Sequence, residues 1–159
     1  MRQCFFDQYR LIVVAILLLG RSTLSSKMLK KVQHLRDSID GFVFTRGSPD
    51  YETSRPVHNG NCRGIYPLMI VRPKSTQDVS KAVRFAVSYG LEISVRSGGH
   101  SFQCQGTKSD SLHIDLRLLN DINFYKPYSV RFGAGLTWKR VLEEVDPKKY
   151  TIIHGNVSF

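Results

Sequence analysis

Val95-Arg96-Ser97-Gly98-Gly99-His100-Ser101 is the stretch on which the reading of this 159-residue chain turns. A strand-like segment with Ile93 and Val95 runs directly into two adjacent glycines and a histidine. Glycines remove the Cβ atoms that keep a ligand off the backbone, and they permit turns closed to other residues. A run of backbone N–H groups in such a turn suits an anionic group such as a pyrophosphate. His100 adds a nucleophilic imidazole at its edge. Alone, the tripeptide equally fits a tight loop with a surface histidine. Its neighbours must therefore decide.

Working outward, the chain alternates between helical and strand-like patterns. Met28, Leu29, Val32, Leu35 and Ile39 recur at helical spacing, with Ser25 or Ser26 able to cap and Gly41 to terminate. Leu68 to Val71 is a short apolar strand closed by Pro73. Ser75 or Thr76 caps the next helix, with Asp78 in its first turn and Val79, Ala82, Val83, Ala86 and Val87 as the expected buried stripe. Gly90 is its expected stop. This strand-helix-strand unit predicts a right-handed parallel crossover, with a ligand outside the carboxyl end of the second strand. Leu112, Ile114 and Leu116 then alternate with His113 and Asp115, and Val130 and Phe132 precede Gly133-Ala134-Gly135. Trp138, Val141, Leu142 and Val145 form another helical stripe ended by Pro147, and Thr151-Ile152-Ile153 reads as a last strand.

This order closely resembles the FAD-binding domain of the vanillyl-alcohol oxidase / p-cresol methylhydroxylase (PCMH) family. The nearest branch is the berberine-bridge-enzyme and oligosaccharide-oxidase group. The resemblance begins near Asp50-Tyr51-Glu52-Thr53-Ser54-Arg55, includes Asn59, and covers about two thirds of the chain. It implies an α+β fold, the N-terminal half of a PCMH-type domain: a parallel βαβ subdomain followed by a strand-rich second one. The implied division is 1–25 as signal peptide or anchor, 26–63 as a helix and lead-in segment, and 64–159 as the cofactor domain.

The resemblance also implies site roles. The backbone of Arg96, Ser97, Gly98, Gly99, His100 and Ser101 would wrap the FAD pyrophosphate, and Ser101 could donate its hydroxyl. Gly133 and Gly135 would approach the same cofactor. His100 matches the position at which many members bind the flavin 8α-methyl covalently; the alternative is a noncovalent hydrogen-bond donor. A neutral imidazole is a competent nucleophile. Arg96 could neutralise phosphate or form a strand-end salt bridge, and Asp115 reads as a structural hydrogen-bonding residue rather than a base. Doubly tethered members carry a cysteine in a His-Gly-x-Cys stretch. Here His154-Gly155-Asn156 is followed by Val157, so a second tether is not expected. The family substrate would be an alcohol or carbohydrate hydroxyl, with oxygen as acceptor. The implied catalytic base lies beyond Phe159, so the 159 residues alone are expected to be inactive, and a flavin-binding remnant without turnover is the alternative.

Composition narrows the other classes. The net charge of +10 raises nucleic acid or an anionic surface as partners, but Lys27, Lys30, Lys31 and Arg36 form the one cluster and no aromatics interleave with basic residues. No nucleic-acid role is therefore expected. Leu11 to Gly20 is an unbroken apolar run flanked upstream by Arg2 and Arg10. Such a run spans about 15 Å as a helix, half a bilayer core, which suits a signal-peptide h-region, with a membrane anchor or tether as the alternative. The expected location is the secretory pathway. Cys62 and Cys104 either pair or remain free thiols, and the histidines show no metal-ligand spacing.

Overall fold

A computed structural model describes residues 24–125 and 128–155. The apolar run Leu11–Gly20 and Val157 lie outside the described residues. Helix α1 (Ser26–Ser38) starts on Ser25, whose hydroxyl accepts from the Met28 amide at 3.2 Å. It ends ahead of Gly41 because Ile39 turns extended and enters the core. Strand β1 (Phe42–Thr45) and the short helix α2 (Pro49–Ser54) follow. A single turn of 3-10 helix spans Gly60–Gly64. Then come β2 (Met69–Arg72), α3 (Thr76–Ser88), β3 (Ile93–Arg96) and β4 (Leu112–Asp115).

The four strands form one sheet in the order β1-β2-β4-β3. β4 lies between β2 and β3 and runs parallel to both, while β1 is antiparallel to β2. The expected β2-α3-β3 crossover is therefore present but steps over one strand. β4 fills the gap, and all four of its residues are buried. A strand covered on both faces cannot be read from alternation alone.

The two faces differ in chemistry. On one, Val43, Met69, Val71, Leu112 and Ile114 meet Val32, Leu35 and Ile39 at the α1 side and Ala82 and Ala86 of α3. This is the apolar core. Successive side chains of a strand point oppositely, and the other face buries Ile70, Ser94, Arg96, His113 and Asp115. Helix α2 closes that face, with Tyr51 fully buried and its hydroxyl donating to the Pro67 carbonyl at 2.6 Å.

Two expectations from the sequence need correction, on the buried side of α3 and on the last strand, and β3 has a face that no pattern indicated. The buried side of α3 carries Asp78, Ala82 and Ala86, while Val87 is 73% exposed and Val83 is exposed as well. Asp78 causes the rotation: its carboxylate accepts from the Asp40 amide at 3.2 Å and the Lys74 amide at 2.9 Å. Hydrophobic periodicity does not register such a polar anchor. In β3 the apolar residues, Ile93 and Val95, are the exposed ones, and Ser94 and Arg96 are buried. Finally, Thr151–Ile153 forms no strand, and Ile153 is almost wholly exposed.

The remainder is an antiparallel pair, β5 (Ile122–Tyr125) and β6 (Ser129–Phe132), followed by helix α4 (Trp138–Val145). Val141 and Val145 are its buried residues.

Asp78→Ala removes the acceptor for two backbone amides in a nearly solvent-free position. It should cost about 2 kcal/mol of unfolding free energy, read as a lowered urea midpoint. An unchanged midpoint would show that the anchor contributes nothing.

Candidate functional site

The Gly-Gly-His turn leaves the sheet at Arg96, and both terminal nitrogens of the Arg96 guanidinium are hydrogen-bonded, while its Nε is buried without a hydrogen-bond partner among the described residues. Nη1 donates to the Pro56 carbonyl at 2.8 Å, and Nη2 donates to the Ser54 carbonyl at 2.7 Å and to the Asp115 carboxylate at 2.8 Å. The side chain is 3% exposed. It is thus the strand-end salt bridge of the two readings, and its charge is spent on Asp115 rather than offered to a phosphate. Arg72 and Arg117 bind the same carboxylate at 2.8 and 2.9 Å. Burial pushes the Asp115 carboxyl up, but hydrogen bonds from Arg117, the Arg96 charge and further bonds from Arg96 and Arg72 outweigh it. The group is held well below the usual carboxylate range. Burial also pushes Arg96 below its ordinary value, and Asp115 opposes that effect. Asp115 is structural, as expected, with no freedom to act as a base.

Beside this cluster His113 is fully buried. Its Nδ1 lies 2.9 Å from Ser94 Oγ, which in turn lies 2.8 Å from Ser111 Oγ. His113 Nε2 is buried without a hydrogen-bond partner among the described residues. Burial, reinforced by the Arg96 charge, pushes this imidazole down to about 4.

Within the turn, Gly99 takes φ +78°, a left-handed conformation that glycine adopts without strain. A Cβ on Gly98 would come within 2.9 Å of the His100 ring, so the imidazole folds back across the glycine. The lead-in segment flanks the turn. The His58 amide donates to Gly99 O at 3.2 Å, and Asn59 Nδ2 donates to Phe102 O at 2.8 Å. The His58 and His100 rings meet edge to face, centroids 5.6 Å apart. Cys62 and Cys104, left open by the sequence, form a disulfide with Cα atoms 5.6 Å apart.

Ser97, Gly98 and His100 line a cavity of about 300 Å³. Its opposite wall is Leu136, Thr137 and Trp138 at the N-terminal end of α4, together with Gly155. That volume is at the lower end for a ligand site. A helix N-terminus carries partial positive charge, which favours an anionic group. Ser101 lies just outside this lining, with its hydroxyl accepting from the Gln105 amide. Gly133 and Gly135 are not among the lining residues. A Cβ on either would overlap a backbone carbonyl, Leu119 O or Leu116 O respectively.

A glycine turn, a histidine folded over its glycine and a facing helix terminus thus line one cavity. The sequence matches the family described as FAD binding domain over residues 67–158. The chain belongs to that family. Its relatives include the FAD-linked oxidoreductase aurO of Gibberella zeae, 36% identical over 110 residues, which cover 68% of this chain and 22% of aurO. Among solved structures, 6-hydroxy-D-nicotine oxidase from Arthrobacter nicotinovorans superposes with a TM-score of 0.65 at 34% identity, covering 69% of this chain and 24% of that one. Glucooligosaccharide oxidase from Acremonium strictum, described as carrying 6-S-cysteinyl, 8α-N1-histidyl FAD, shares the fold with a TM-score of 0.71. Its identity is 21%, over 79% of this chain and 27% of that one. The chain spans about a fifth of the length of the curated relatives it matches.

Sequence reasoning missed Arg72, Arg117, Ser54, Pro56 and His58 as supports of the turn, and Leu136, Thr137, Trp138 and Gly155 as its facing wall. Arg72 was available as the last residue of β2, but only the strand order reveals that it points at Asp115.

The buried imidazole sets a pH dependence. The folded value of His113, about 4, lies below its ordinary 6.5, so the unfolded chain takes up a proton first. This contribution to stability is complete above about pH 6.5 and is lost as pH falls toward 4, by roughly 3 kcal/mol across the window. Asp115, also depressed, supplies stability above the unfolded carboxylate range that is lost as pH falls through and below it. Urea midpoints should therefore drop between about pH 6.5 and 4 in the native chain and stay nearly level there in His113→Gln. Parallel slopes in the two proteins would exclude His113 as the source.

Proposed function

We propose that this chain holds FAD against the Gly-Gly-His turn, with a covalent bond from His100, and serves an oxidoreductase that oxidises an alcohol or carbohydrate hydroxyl with oxygen as acceptor. The observation that carries the reading is His100 and Gly98 lining one cavity opposite the N-terminal end of α4. The backbone of residues 96–101 would face the pyrophosphate, and the α4 terminus would add its partial positive charge. Arg96 contributes by fixing the backbone from which the turn departs. Gly133 and Gly135 belong to the same proposed site through the placement of the wall that carries Thr137 and Trp138. Bound FAD supplies the redox chemistry, taking hydride from the carbon bearing the hydroxyl and passing electrons to oxygen.

Attachment would join a neutral His100 imidazole nitrogen to the flavin 8α-carbon with loss of one C–H and one N–H proton, the two electrons passing to the flavin ring and from it to oxygen. The position of the imidazole, folded over Gly98, keeps it at the cavity wall rather than out in solvent. The substrate class rests on the oligosaccharide oxidase that shares this fold. A second reading, FAD binding without turnover, is favoured by the lining itself. The described residues around the cavity include no carboxylate and no tyrosine to take the hydroxyl proton. Hydrogen peroxide formed on adding an alcohol or sugar would decide for the oxidase.

The disulfide suits an oxidising compartment. With Leu11–Gly20 it supports export through the secretory pathway, cleaved or anchored. A reporter fused after Ser26 should enter the endoplasmic reticulum, and one left in the cytosol would end this part of the proposal.

Covalent attachment has a direct assay. The protein as the cell makes it, denatured and run on a gel, should carry a fluorescent flavin band that disappears in His100→Ala. Peptide mapping should find flavin on the His100 peptide alone, since valine at 157 has no nucleophilic atom. Flavin released entirely by denaturation would exclude the tether, and flavin on another residue would show that the turn is misread.

A further inference from the structure

The segment that precedes β2 follows the Gly-Gly-His turn strut by strut. Ser54 and Pro56 offer carbonyls to Arg96, the His58 amide reaches Gly99, the Asn59 amide group reaches Phe102, and Cys62 is bonded to Cys104. The two stretches ascend in step, from 54 to 62 and from 96 to 104. Their ends are held very differently.

At the leading end, Arg96 is anchored in the buried cluster around Asp115. Among the described residues, the trailing end has no buried ion-pair cluster of that kind. No residue from Ser101 to Gly106 is buried, and Phe102 is 82% exposed. Without a side chain in the core, that stretch has no packing to define its path. The Asn59–Phe102 hydrogen bond is exposed, where water competes for both partners. Cys104 also sits at φ +57°, a left-handed conformation unusual for a side chain with a Cβ. Thr107 is the next buried residue. Between Gly99 and Thr107, then, the disulfide is the covalent constraint on the loop that contains His100, beside the Gln105–Ser101 and Thr107–Cys104 hydrogen bonds.

The segment also supplies the neighbour of the reactive ring. His58 stands edge to face against His100. Holding residues 58–62 against 99–104 therefore fixes both the backbone of the turn and the imidazole on it.

From this we infer that the Cys62–Cys104 disulfide is a positioning element of the flavin site, locking the lead-in segment over the turn so that His100 reaches attachment geometry only in the oxidised chain. The inference rests on the FAD reading given above. It ties cofactor attachment to the compartment in which the disulfide forms. A small displacement of a reacting group costs far more in rate than in stability, which is why a clamp remote from the bond being made matters.

The test compares the native protein, as the cell makes it, with Cys62→Ser/Cys104→Ser and with Asn59→Ala. Each is produced without flavin and then given excess FAD. Three quantities are read: the rate at which flavin becomes resistant to denaturation, the visible circular dichroism of bound flavin, and the melting temperature. In the double variant, attachment should slow by about tenfold or more, with altered flavin dichroism, even well below its melting temperature. Asn59→Ala should shift the rate in the same direction by less.

Should the double variant fail to fold, the folded native apoprotein is reduced instead with a small dithiol. The disulfide takes two electrons and two protons to give two thiols, and the dithiol closes to its own disulfide. Attachment should slow while far-ultraviolet dichroism is kept, and reoxidation with oxidised glutathione should restore it. A lowered melting temperature with unchanged attachment rate and flavin dichroism would overturn the inference and leave the disulfide a stabiliser only. A native chain that itself attaches no flavin would overturn the FAD-tether reading on which it rests.

Discussion

One buried carboxylate organises the site end of this molecule. Asp115 is fully buried at the end of β4, and three guanidinium groups converge on it. A lone charge in such a place would be prohibitively costly, and removing Asp115 would leave the buried Arg96 guanidinium beside two like charges. The partners come from the ends of neighbouring strands: Arg72 closes β2, Arg96 closes β3, and Arg117 follows β4 directly. The parallel register sets Arg96 opposite Asp115. The carboxylate thus ties three consecutive strand ends together at the edge where the functional turn begins. Ser54 extends the network, accepting from Arg72 through its hydroxyl and from Arg96 through its carbonyl.

This arrangement explains the chemical division between the two sheet faces. Hydrophobic burial against α1 and α3 supplies the non-directional part of the stability. The opposite face gives up some of that to hold Arg96, His113, Ser94 and Asp115 in fixed hydrogen bonds. Directional bonds determine where a backbone must lie, which area burial does not. The Gly-Gly-His turn departs from Arg96, which belongs to this polar face.

The parts legible in the sequence were those with local causes. The Gly-Gly-His turn, the Ser25 and Ser75 caps and the α4 stripe depend on neighbours a few residues away, and each stands where the pattern put it. The parts that were not legible depend on distant partners. β1 is too short to show a period, and it exists by pairing antiparallel with β2. The rotation of α3 follows from Asp78 reaching the Asp40 amide across 38 positions. Arg96 offered two roles of equal plausibility, and only its burial among carbonyls from the lead-in segment separates them. The disulfide was likewise undecidable, since spacing along the chain gives no Cα separation in space.

The two glycines after β6 help to place the cavity wall without being part of its lining. A Cβ on Gly133 would strike the Leu119 carbonyl, and one on Gly135 the Leu116 carbonyl. The Gly135 amide also donates to Leu119 O at 2.9 Å. The chain leaving β6 is therefore pressed against the short 3-10 segment Leu116–Leu118, which leads out of Asp115 and contains Arg117. Immediately beyond Gly135 come Leu136, Thr137 and Trp138, the far wall of the cavity. The near wall departs from Arg96, and the far wall is placed through Arg117 and its turn. Both walls are therefore referenced to the same carboxylate. Asp115 itself lies on neither wall, and the glycines permit the close approach that links the far wall to the turn following this residue.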